Sequence, residues 1–181
     1  PDTYWSFKHA LAFEGKKAAF PPLGLLTVSA MLQETWERGL VDMNVKRLDD
    51  RDLEWADMVF VSAMIVQSAS LEDVVGRARA MGKRIAVGGP YVSTSSESLP
   101  DADHIFIGEA EETLPDFIRD LELGIPEEVY KADERPSLHG TPVPDFGLID
   151  MSKYSAMNVQ YSRGCPFNCE FCDIIEIYGR V

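Results

Sequence analysis

Basic residues are scarce in this chain. Its 181 residues carry 17 Lys and Arg against 30 Asp and Glu, a formal net charge of −13 with a pI near 4.6. A chain this acidic repels phosphate backbones unless its cations gather in a stripe. No such stripe is present, which argues against nucleic acid as the main partner. Long hydrophobic runs are lacking as well. The longest, from Met58 to Val66, is interrupted by Ser62 and falls far short of the roughly 18 residues of a membrane helix, so no membrane span is expected. The opening Pro1-Asp2-Thr3-Tyr4-Trp5 has no basic region followed by an apolar run, so no signal peptide is read there. Cysteine is rare: three residues, all between Cys165 and Cys172. An odd, clustered set argues against a disulfide framework and for ligands kept reduced, and the cytoplasm is the expected compartment.

What the chain does have is ordinary globular composition, 45% hydrophobic and 26% charged. Its length suits one domain with a core plus a tail. After an aromatic, proline-bearing opening over 1–22, read as an ordered loop, apolar spacing at Leu25, Val28, Leu32 and Trp36 predicts a helix over 23–38. Leu40 to Lys46 alternates and predicts a strand. The apolar run 57–63 predicts a buried strand, and 70–81 a helix with Leu71, Val74, Val75, Ala78 and Met81 on one side. Strands at 84–87 and 104–107 follow, then a helix over 111–123 with Leu114, Phe117, Ile118 and Leu121 on one face. Pro115 is expected to be tolerated there as a first-turn residue. Strands alternating with helices over short connections predict an α/β fold, a doubly wound parallel sheet over 1–125. Residues 126–156 read as a proline-rich linker, and 157–161 as a short strand that opens the final segment, 157–181.

That segment contains Ser162-Arg163-Gly164-Cys165-Pro166-Phe167-Asn168-Cys169-Glu170-Phe171-Cys172-Asp173. Thiolates spaced C-x3-C-x2-C on one compact loop suit three irons of a cubane cluster and leave the fourth iron open to chelate a small molecule. Structural zinc would require a fourth ligand; the nearest upstream histidine is His139, in the linker. Three inert thiols are the remaining alternative.

The loop resembles the signature of radical S-adenosylmethionine (radical SAM) enzymes. The resemblance implies that Cys165, Cys169 and Cys172 hold a 4Fe–4S cluster and that Phe171 lies near the adenine of S-adenosylmethionine. The reduced cluster would then break a carbon–sulfur bond of the sulfonium, yielding a 5′-deoxyadenosyl radical that takes a hydrogen atom from substrate. The family's β/α barrel is far longer than the residues up to Val181, so the resemblance implies a fragment of a longer enzyme, inactive by itself.

The region before the linker is similar to the cobalamin-binding module that precedes the cluster loop in one subgroup of these enzymes. Ligands of open α/β sheets bind beyond the carboxyl ends of the strands. Those ends are Ser62-Ala63-Met64-Ile65, Gly88-Gly89-Pro90-Tyr91 and Gly108-Glu109-Ala110-Glu111. Paired glycines admit close approach of a bulky group, Ser62 can donate to a nucleotide tail, and Met64 and Ile65 offer an apolar face. Gly88-Gly89 serves equally as a tight turn, Ser62 as an ordinary strand-end hydroxyl, and Glu109 and Glu111 as first-turn acids favoured by the helix dipole. The D-x-H-x-x-G pattern that brings histidine to cobalt is replaced by Asp42-Met43-Asn44-Val45-Lys46-Arg47, so no histidine ligand to cobalt is expected. Such modules usually open with a strand just before the aromatic loop. Because Pro1 already lies in that loop, the resemblance implies that this strand is missing from the sequence.

The resemblance thus implies the N-terminal part of a cobalamin-dependent radical SAM enzyme, one that methylates or rearranges an unactivated carbon. Its partners would be a small-molecule substrate, a lipid or natural-product scaffold, and a reductant protein such as a flavodoxin or ferredoxin. The residues around Asp173-Ile174-Ile175 and Tyr178-Gly179-Arg180 are similar to a subgroup that includes hopanoid C-2 methylases. Two rivals stay open: a radical SAM enzyme whose front domain binds no cobalamin, and a non-enzymatic flavodoxin-like module with a metal-stapled tail.

Overall fold

The computed structural model describes residues 7–94, 100–167, 169, 170 and 172–180. Four short strands form one sheet: β1 (Met58–Ser62), β2 (Arg84–Gly88), β3 (His104–Ile107) and β4 (Val129–Lys131). All pairings are parallel and the order is β1-β2-β3-β4. The connections run through helices: α4 (Ser68–Ala80), α5 (Pro90–Thr94) and α6 (Ala110–Leu123). Three further helices, α1 (Lys8–Glu14), α2 (Leu23–Met31) and α3 (Asp50–Trp55), precede the sheet, and α7 (Ile174–Tyr178) follows the cysteines. The α/β class and the parallel sheet are as the sequence predicts. Among the described residues no helix is long and apolar enough to cross a membrane.

The chain divides into two compact units, one of residues 1–50 with 142–160, the other of 51–141 with 161–181. The second contains the sheet. Consecutive β2 residues Ile85, Ala86 and Val87 point to opposite faces and all are buried, so this strand is covered on both sides. Helix α6 begins at Ala110, so Pro115 is its sixth residue and lies inside it, past the first turn where the sequence places it. Phe117 of α6 is fully buried on one face of the sheet. Its ring meets Phe106 and Tyr130 edge-on and lies 5.0 Å from the His104 ring. His104 is therefore a core residue, with Nδ1 2.7 Å from the Glu127 carbonyl.

Strand β4 arises inside the stretch expected to be linker. Three residues carry no readable periodicity. What fixes them is Tyr130, stacked on Phe106 with its hydroxyl donating to Asp120 at 3.2 Å and accepting from the Glu127 N–H at 2.8 Å.

In the other unit the segment 142–160 lies along the early chain. Lys17 and Ala18 donate to the Lys153 carbonyl at 2.8 and 3.2 Å, Ser155 N–H returns to Ala18 at 3.0 Å, and Ser29 Oγ donates to Asp145 at 3.0 Å. Two expectations fail here for local reasons. Helix α2 stops at Met31 instead of running to Arg38, because Leu32 turns extended and the Arg38 guanidinium takes the Ser29 carbonyl at 2.7 Å. The strand expected over 40–46 is a turn. Buried Asp42 accepts from the Asn44 N–H at 2.8 Å and from its side-chain amide at 2.9 Å, while Val45 and Lys46 donate to the Asp42 carbonyl. Tyr154 closes on the same carboxylate at 3.0 Å, and burial together with the Asp42 charge pushes its phenol well above its usual range. Residues 157–161 are not a strand either.

Two outcomes test this account of the sheet unit. Phe117→Ala removes the ring at the centre of the aromatic cluster and should cost about 3–5 kcal/mol in urea denaturation. Burial alone would raise the Asp103 carboxyl, but the Ile85 N–H at 2.8 Å and Arg79 at 3.1 Å outweigh it and hold it below its usual range. A depressed carboxyl contributes stability above its unfolded pKa and loses it as pH falls through the folded value. Asp103→Asn should therefore lower the melting temperature at neutral pH and flatten the acid limb of its pH profile.

Candidate functional site

Parallel strands deliver their carboxyl ends to one edge of the sheet, and the three loops expected to bind ligand meet there. Ser62, the last residue of β1, is paired in register with Gly88, the last of β2. Tyr91 N–H donates to the Ala63 carbonyl at 3.0 Å, joining the first loop to the second. Ser93 Oγ accepts from the Gly108 N–H at 3.0 Å, joining the second to the third. Ser62, Ala63, Gly88, Gly89, Pro90, Tyr91, Gly108 and Glu109 are thus brought together as one hydrogen-bonded rim.

Two glycines are demanded by that rim. Gly89 has φ +92°, and a Cβ there would stand 2.4 Å from Ser62 Oγ; Gly108 has φ +95°, and its Cβ would stand 2.8 Å from that of Ala132. Only glycine adopts such a backbone at so close an approach. Gly88 is different: its nearest neighbour to an added Cβ, Phe106 Cβ, lies at 3.4 Å.

Beyond Ala63 the chain turns outward and exposes Met64, Ile65 and Val66 by 52%, 64% and 53%. Their backbone is nonetheless fixed. Gln67 returns both ways to Met64, accepting from its N–H through Oε1 at 2.9 Å and donating N–H to its carbonyl at 2.8 Å. The result is an apolar surface on a pinned loop, at the carboxyl-end edge of the sheet.

The cysteine loop belongs to the same compact unit as this rim. Cys165 N–H donates to the Gly179 carbonyl at 3.2 Å, and Cys172 N–H to that of Cys169 at 3.1 Å. Gly164, at φ +94°, lies so close to Gly179 that a Cβ would stand 2.6 Å from its carbonyl oxygen. All three thiols are free; Cys169 is exposed, Cys165 and Cys172 partly so. Among the described residues no three His, Cys, Asp or Glu side chains converge as a metal-binding group. Phe171 lies outside the described residues.

Arg163 is not singled out by the sequence, and it makes a largely buried ion pair at the site. Its guanidinium forks onto Glu109 and Glu111, with Nη2 to Glu111 Oε1 at 2.5 Å, and Thr141 Oγ1 donates to the same oxygen at 3.0 Å. Glu109 is the N-cap of α6 and is buried. Desolvation holds its carboxyl above the usual range despite Arg163, whereas at Glu111 the arginine and Thr141 overcome desolvation and bring it below. Burial, with these two acids alongside, also raises the Tyr178 phenol. The one signal in the sequence was a cation directly ahead of Gly164-Cys165 in a chain otherwise dominated by acids.

The B12 binding domain family matches residues 17–118, more than half of the chain. The chain belongs to this family. The B12-binding match takes in strands β1 to β3 and all three rim loops, and ends within α6. Similar proteins include an uncharacterized methyltransferase of Synechocystis sp., 42% identical over 182 residues, covering 99% of this chain and 34% of that protein. The hopanoid C-2 methylase of Rhodopseudomonas palustris is 35% identical over 183 residues, covering 98% and 35%. The bacteriochlorophyllide d C-12(1)-methyltransferase of Chlorobaculum tepidum is 28% identical over 167 residues, covering 88% and 36%. The chain therefore spans about a third of the length of these relatives.

Within this B12-binding domain, Gly89→Ala should destabilise by more than about 1 kcal/mol, because it forces a side chain into a left-handed backbone and against Ser62. Adding Ser62→Ala should restore part of the loss, and Gly88→Ala should cost less than Gly89→Ala. Thermal denaturation of the four proteins compares them directly.

Proposed function

We propose that this chain is the cofactor-binding front of a cobalamin-dependent radical SAM methyltransferase. What carries the reading is the succession on one chain of a B12-binding domain and a C-x3-C-x2-C loop, aligned together with relatives named as methylases. The rim suits a large flat cofactor with one apolar face: Met64, Ile65 and Val66 supply apolar contact, and Ser62 a hydroxyl for a polar tail. At the position where the related motif carries histidine stands Asn44, whose side-chain amide donates to Asp42. The cobalt of a bound cobalamin would accordingly receive no histidine from this domain.

The donor set of the second loop fits an iron–sulfur cluster: Cys165, Cys169 and Cys172 are three free thiols within eight residues, with no fourth cysteine anywhere in the sequence. Bound there, a 4Fe–4S cluster with S-adenosylmethionine supplies one-electron cleavage of a sulfonium, and cobalamin supplies a methyl carrier. Phe171, which directly precedes Cys172 in the sequence, would flank the adenine. Two relatives are named for hopanoid and bacteriochlorophyllide methylation, so a small molecule with an extended apolar scaffold is the proposed substrate class, and a flavodoxin or ferredoxin the proposed reductant.

The full-length protein, reconstituted without oxygen with iron and sulfide and mixed with hydroxocobalamin, should retain both cofactors after desalting. It should also release 5′-deoxyadenosine from S-adenosylmethionine under reduction. Cys169→Ala should abolish that release and leave cobalamin retention unchanged. Retention of zinc in place of iron, or no cobalamin after desalting, would overturn the reading.

A further inference from the structure

We infer that Arg163 is a positioning residue, a clasp that fixes the first cysteine of the metal loop against the carboxyl end of β3. The inference rests on the functional reading above and deepens it, because it assigns the contact that sets the two cofactor sites relative to each other. Arg163 is separated from Cys165 by one residue, and each of the three is held by a different restraint. The Arg163 side chain forks onto Glu109 and Glu111 of the β3–α6 connection. Gly164 is pressed against Gly179 with no room for a Cβ, and Cys165 N–H is bonded to the Gly179 carbonyl at 3.2 Å. Gly179 is itself backed by Arg135, whose Nε would lie 2.7 Å from an added Cβ, and Arg135 Nη2 reaches the Glu176 carbonyl at 3.5 Å.

The other two thiols are held differently. Cys169 is exposed, and the bond from Cys172 N–H to its carbonyl lies within the loop itself. The loop thus enters from a fixed point at Cys165, while Cys169 and Cys172 are tied to each other. Only 12% of the Arg163 side chain is exposed, with 6% and 11% for its two partners, so the fork sits largely out of water. There a bidentate guanidinium is both strong and directional, and lysine cannot reproduce its geometry. Glu109 is also the N-cap of α6, its carbonyl accepting from Glu112 and Thr113 N–H. The acid that holds the cysteine loop is therefore seated on the rim that follows β3, and movement of one is transmitted to the other.

The test uses the full-length protein as wild type, Arg163→Met, Arg163→Lys and the double variant Glu109→Gln/Glu111→Gln. In protein without added metal, amide hydrogen exchange over 162–180 should be about tenfold faster in Arg163→Met, with β2 amides unchanged. The double variant should match it, and combining the two should add nothing further, as groups acting through one contact do. After anaerobic addition of iron and sulfide, Arg163→Met should retain several-fold less iron at unchanged hydroxocobalamin stoichiometry, and Arg163→Lys should fall between it and wild type. Wild-type exchange in Arg163→Met, or additive losses in the combined variant, would overturn the clasp. If wild type itself takes up no iron, the functional reading fails while the exchange comparison still decides the role of Arg163. If Arg163→Met does not fold, the double variant decides it from the acidic side.

Discussion

Parallel pairing is the constraint on which the rest of the sheet unit depends. Because β1 to β4 all run one way, Ser62, Gly88, Ile107 and Lys131 finish at one edge, and every connection must begin there. Loops crowded along one edge need close approaches, and these are met by left-handed glycines at 89 and 108 and by backbone bonds such as Tyr91 to Ala63. The rim is thus a consequence of strand direction first and of cofactor chemistry second. A glycine pair at a strand end is weak evidence for a ligand when the neighbouring loop already fills the space.

Burial of charge is the second constraint. Two carboxylates and one guanidinium withdrawn from water leave an excess negative charge, in a chain already at −13. Each member of such a group depends on the others, because a survivor left without its partner stays buried and uncompensated. The opposite displacements of the two acids follow from this crowding. At Glu109 desolvation outweighs the single Arg163 contact; at Glu111, with Thr141 as an additional donor, the partners outweigh desolvation.

The elements legible in the sequence were those written in a single period. The stripe Leu71, Val74, Val75 and Ala78 is buried on α4, and Leu114 and Phe117 on α6, as their spacing predicts. The elements that escaped depend on side-chain chemistry at a distance. Alternation over 40–46 is overridden by one carboxylate, Asp42, which bends its own backbone and is claimed 112 residues later by Tyr154. Strand β4 is too short to show a period and is selected by the aromatic contacts of Tyr130. Of the candidate site, the three rim loops were legible because strand ends are. The fork of Arg163 was not, since an ion pair spanning more than fifty residues leaves no local pattern.

An exposed apolar residue on a mobile loop can fold back onto the surface when nothing is bound, which weakens any argument from its exposure. That escape is restricted for Met64, Ile65 and Val66. Gln67 bonds both polar groups of the Met64 backbone, and Tyr91 holds the Ala63 carbonyl just before it. The conformational entropy of the loop backbone is therefore largely lost on folding and not on binding, which favours affinity for whatever covers it. Three consecutive apolar side chains on a backbone so restrained remain in water at a cost that a flat, partly apolar ligand would remove. The proposed cofactor rim thus draws support from loop geometry that is independent of the cysteines.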